Sequence, residues 1–112
     1  MSPAIQLLLI QIMQTVARLQ ALPAYQVICY SMGHVQEVDV RIYSADAKFG
    51  HNKPRAVPIA QAAAYWHRDR WSHETDDEYH VRQEEWRRDL EFMRAALMAY
   101  LPADARNAEA AA

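Results

Sequence analysis

The sequence predicts a single small α+β domain, ordered α-β-β-α-α, with an antiparallel hairpin packed on helices. Three observations predict it. Apolar residues recur at helical steps near both ends of the chain. Between them lie two runs rich in β-branched and aromatic residues, separated by a glycine-containing turn. And 112 residues, 52% of them hydrophobic, are enough for one core and too few for two.

Ser2-Pro3 reads as a helix start: a side-chain cap, then proline where no N–H is needed. Ile5, Leu8, Leu9, Ile12, Val16 and Leu19 form one face of a helix running to about Gln20. Pro23 stops it, because proline disfavours helical geometry in the residue before it. Residues 25–31 and 35–44 then read as strands. In the second, Val38, Val40 and Ile42 face one way, and Glu37, Asp39, Arg41 and Tyr43 the other. Gly33, between the runs, is the residue expected to supply the positive φ of the turn. A lone hairpin is marginal in water, so it needs helices, or a further strand from 45–57 or from a second copy of the chain.

Residues 45–57 read as a loop, punctuated by Gly50, Asn52 and Pro54. Pro58 opens an expected helix reaching Trp71, with Ile59, Ala62, Ala63 and Trp66 on one side. Thr75-Asp76-Asp77-Glu78 is a capping-box pattern whose three acids suit the positive end of a helix dipole. Tyr79, Trp86, Leu90, Met93, Leu97 and Leu101 continue as one stripe until Pro102. This helix and the one before it can also be read as one bent helix. Residues 1–102 thus form the domain. Residues 103–112 are an Ala-rich tail with no stripe to bury, expected to be flexible.

The net charge of −2 hides an uneven distribution. Residues 45–71 carry five Lys or Arg against two acids, whereas residues 72–101 carry eight acids against four arginines. Internal complementarity is the simplest reading of such a pattern. Cys29 is the sole cysteine, so no internal disulfide forms, and a cytoplasmic location is expected. The apolar start, Ile5 to Met13, lacks a preceding Lys or Arg and is interrupted by Gln6 and Gln11, unlike a signal peptide. It is also too short to span a bilayer, so no membrane partner is expected.

Two constellations invite a chemical reading. His73, Asp76 and His80 share a face if they lie on one continuous helix, at a spacing able to hold zinc or another divalent ion. The capping box opposes this, since a cap at Thr75 puts His73 outside the helix. Lys53, Arg55, Arg68, Arg70 and Trp71 combine cations with stacking surface, as single-strand nucleic-acid binders do. The acidic neighbour and the low overall charge oppose that. Neither a nucleophile elbow nor a phosphate-cradling glycine loop is present, and no cofactor is expected.

Apolar residues without an obvious burial partner carry the third reading. Leu7 and Ile10 lie opposite the first stripe, and Phe92 lies off the last one, rimmed by Arg87, Arg88 and Glu91. The expectation is a non-enzymatic, protein-binding chain that occupies a partner's surface and forms a homodimer. Small accessory or inhibitor proteins, including those of phages and mobile elements, share this profile. Nucleic-acid binding through the 48–71 segment is the alternative, and a metal site the second alternative.

Overall fold

In the computed structural model, the described residues, 2–33 and 36–104, form α1 (Pro3–Gln20), β1 (Tyr25–Met32), β2 (Glu37–Ser44), β3 (Ala60–Tyr65) and α2 (Asp76–Met98). The α+β class is as expected, but the order is α-β-β-β-α. His34 and most of the tail expected over 103–112 lie outside the described residues.

Both helices begin as their sequences dictate. Ser2 Oγ accepts a hydrogen bond from Ile5 N–H at 3.3 Å, with Pro3 in the first turn of α1. At α2 the capping box closes in both directions. Glu78 N–H donates to Thr75 Oγ1 at 3.1 Å, and Thr75 N–H donates to Glu78 Oε1 at 3.4 Å. The far end of α2 stops at Met98, short of the expected Leu101. Tyr100 and Leu101 continue in tighter turns onto the Leu97 and Met98 carbonyls, which carries Leu101 into the core.

The main correction lies at 58–71, where no helix forms. Residues 60–65 are instead the third strand of an antiparallel sheet ordered β1-β2-β3. Alanine favours a helix by only a few tenths of a kcal/mol per residue over most types, roughly, and tertiary context overrides that. Here the context is the second edge of β2, whose polar backbone groups need partners. Ile59 N–H donates to the Ile42 carbonyl at 2.8 Å, and Trp66 N–H to the Gln36 carbonyl at 2.9 Å, so the pairing is secured at both ends. The turn between β1 and β2 also differs from expectation. The positive φ, 54°, belongs to Gln36, and Gly33 does not adopt one.

Strand register sorts the side chains into two faces. Val27 and Cys29 of β1 align with Ile42 and Val40, which align in turn with Ala60 and Ala62 of β3. This face packs against Ile5, Leu8, Ile12, Val16 and Leu19 of α1 and Trp86, Leu90, Met93 and Leu97 of α2. The small side chains of β3 match the bulk of α2, which lies on that strand, while α1 lies along β1 and α2. The opposite face carries Ile28, Tyr30, Arg41, Tyr43, Gln61 and Tyr65, and no helix covers it. The chain between β2 and β3 folds back over one end of it, setting Phe49 edge-to-face on Tyr43 with ring centroids 5.0 Å apart.

Candidate functional site

Two concave surfaces flank the sheet, one apolar and one basic. The apolar groove, about 520 Å³, is walled by Leu9, Ile10, Met13 and Ala17 of α1 and by Ser31 and Trp66. Met13 reaches the sheet here, its sulfur 4.0 Å from Cys29 Sγ. Burial first, and the Asp39 charge second, push the Cys29 thiol above its usual range. It is therefore a weak nucleophile at neutral pH. The groove borders β1, one of the two edge strands of the sheet. Ile10, one of the residues expected to bind a partner, lines this groove and is 55% exposed. Leu7, one turn earlier, is 54% exposed.

The other four residues of that expected surface lie on α2. Phe92 is 79% exposed and lines neither concavity. Arg87 binds Glu84 Oε2 at 2.8 Å and Glu91 Oε1 at 2.5 Å, pairs three and four residues apart on one helix. Arg88 is exposed beside them. This is a solvated helix face, and the structure does not join it to Leu7 and Ile10.

The basic cleft, about 540 Å³, lies on the open face of the sheet under the 45–58 loop. Its floor includes Ile28, Arg41 and Gln61, which are aligned across the three strands. Tyr30 and Phe49, both exposed, stand over it, and Lys48, Lys53 and Arg55 rim it. Asp39 beneath is occupied: it accepts from Gln61 Nε2 at 3.2 Å and from Arg41 Nη2 at 3.5 Å. Arg41 lies 5.2 Å from the Tyr30 ring centroid, and its buried Nε–H has no hydrogen-bond partner. At the far end of the same face Arg68 lies 4.8 Å from the Tyr65 ring centroid.

The basic residues expected to act together are thus divided. Lys53 and Arg55 rim the cleft, and Arg68 sits on Tyr65. Arg70 and Trp71 belong to a different assembly, which pins the 66–75 segment to α2. There Arg70 donates to the Glu74 carbonyl at 3.0 Å and binds Asp76 at 2.5 Å, and Trp71 stacks on Arg82. His73 precedes the Thr75 cap, outside α2, and Asp76 is engaged by Arg70. Among the described residues no three His, Cys, Asp or Glu side chains converge as a metal site.

Sequence reasoning did not single out Tyr30, Arg41, Phe49, Ser31 or Trp66 as surface-forming. The alternation of β2 already placed Arg41 and Tyr43 together on one face. What was missing was β3, which completes that face, and the loop that roofs it. Among the described residues no helix is long and apolar enough to cross a membrane. No protein-family model, curated protein or solved structure matches the chain.

Proposed function

We propose that this chain is a non-enzymatic interaction protein that works as a homodimer, two copies joining through the free edge of β1 and the adjoining flank of α1. The observation that carries this is the chemistry of that edge. β1 is eight residues long and has neither a charged side chain nor a proline. Free edges are ordinarily blunted by just such residues, because their unpaired N–H and C=O groups template another strand. The other edge, β3, is shorter and follows Pro58 closely.

A second copy suits this flank. An antiparallel β1–β1 pair is self-complementary about a twofold axis. α1 carries a single charged residue, Arg18, so two such flanks meet with little like-charge repulsion. Leu7 and Ile10 then leave water, a gain of up to about 1.5–3 kcal/mol for each side chain fully covered. Phe92 with its rim of Arg87, Arg88 and Glu91 is not part of this interface.

Light scattering on the size-fractionated chain tests the reading. The wild type is expected to run as a dimer, and Leu7→Gln with Ile10→Gln as a monomer of unchanged far-UV circular dichroism. A monomeric wild type overturns the proposal, as does a double variant that unfolds or remains a dimer.

A further inference from the structure

We infer that the open face of the sheet binds single-stranded nucleic acid, with bases on the exposed aromatic rings and phosphates on the cations of the 45–58 loop. The site lies on the face of the sheet away from the helices, and β1 contributes Ile28 and Tyr30 to it.

Charge is the first argument. Lys48, Lys53 and Arg55 have no acidic partner within ion-pair distance among the described residues. Of the carboxylates on this side, Asp39 is held by Gln61 and Arg41, Asp46 in the loop accepts from Ser44 Oγ, and Glu37 lies at the Tyr65 end of the face. Three free cations at the rim of one concavity, on a chain of net charge −2, make a local anion site. Arg41 on the floor is paired with Asp39, so those two charges offset each other and the rim cations carry the positive charge of the cleft. The buried Nε–H of Arg41 still lacks an acceptor.

Aromatic surface is the second. Phe49 and Tyr30 are exposed beside those cations, and Tyr65 is exposed at the other end of the face. Glu37 and Tyr43, six residues apart on β2, mark the ends of that path, which is therefore roughly 20 Å long. Rings on a sheet face flanked by cations are how single-strand binders hold bases without reading their edges. A duplex hides its base faces within the stack and offers these rings nothing. An acidic peptide would meet the cations and leave the rings unused.

Fluorescence anisotropy of labelled oligothymidylate with the full chain is the test. With three phosphate contacts, affinity should fall about twenty-fold between about 50 and about 200 mM salt. Phe49→Ala should weaken binding about ten-fold. Lys53→Glu with Arg55→Glu, both exposed loop positions, should abolish it with no change in circular dichroism. Arg88→Ala, on the far helix, should leave it unchanged.

No binding at the lower salt overturns the inference. So does equal loss in Arg88→Ala, or tighter binding of duplex or of polyglutamate than of the single strand. Binding of thymidine monophosphate with the same affinity as the oligomer also overturns it, since that would make the cleft a mononucleotide pocket. Leu7→Gln with Ile10→Gln should still bind, so failure of the dimer and failure of this site are distinguishable.

Discussion

Both carboxylate oxygens of Glu74 accept hydrogen bonds from Nη1 of Arg82, at 2.7 and 2.9 Å, joining the segment before α2 to the helix itself. The two side chains are nearly covered, at 2% and 14% exposure. Trp71 N–H donates to the same carboxylate at 3.3 Å, and the Trp71 ring lies 4.0 Å from the guanidinium. Trp86 flanks that guanidinium at 5.2 Å. A loop rich in charge is fixed by one planar cation that can hydrogen-bond in its plane and stack above and below it.

Removing that cation should matter more than removing any other arginine of α2. Arg82→Ala leaves the Glu74 carboxylate covered and unpaired, and takes the support from Trp71. The melting temperature is expected to fall by roughly 10 °C. Arg87→Ala, which breaks only partly solvated pairs, should shift it by less than about 2 °C. Calorimetry compares the two directly, and equal shifts would mean the clasp is no stronger than a surface bridge.

Glu74 should also give the fold an acid-sensitive component. The Arg82 hydrogen bonds hold its pKa below the ordinary glutamate range, with help from the Trp71 N–H, against an opposing effect of burial. Because the folded value lies below the unfolded one, the stabilisation is complete at neutral pH. It starts to fade as the pH falls past the ordinary glutamate value and is gone once the pH passes the folded value. Melting temperature against pH should therefore decline more steeply for the wild type than for Glu74→Gln over that acidic window. Parallel curves would place the titrating carboxylates elsewhere.

Much of the frame was legible because its signals are local. The Ser2 and Thr75 caps, the two stripes and the alternation of β2 each lie within one element. Gly33 misled because a glycine permits positive φ without requiring it, and Gln36 took that role. The 58–71 segment misled for a deeper reason. Its alanines have no periodicity of their own, and Trp66, which suggested a helical stripe, packs against the core from just beyond a strand. Only the unpaired edge of β2, a long-range requirement, decides for β3. The candidate surfaces inherit that limit. Ile10 was visible from α1 alone, whereas the basic cleft exists only once three strands and a loop come together.

The strand at 60–65 can be tested through two neighbouring alanines. Ala63 lies on the open face opposite Asp39 and is exposed, while Ala64 lies on the inner face opposite Val38 and is buried. A strand alternates its faces at every residue, and a helix turns adjacent residues by only about 100°. Valine is favoured in an extended edge position, so Ala63→Val should stabilise the fold by about 0.5 kcal/mol. In a helix the same change would cost a similar amount, because β-branching restricts the side chain against the preceding turn. Ala64→Val adds volume where the sheet packs beneath α2, and should cost about 1–3 kcal/mol. Urea midpoints read both variants. Opposite signs at adjacent positions are the signature of β3, and destabilisation at both would restore a helix over 58–71.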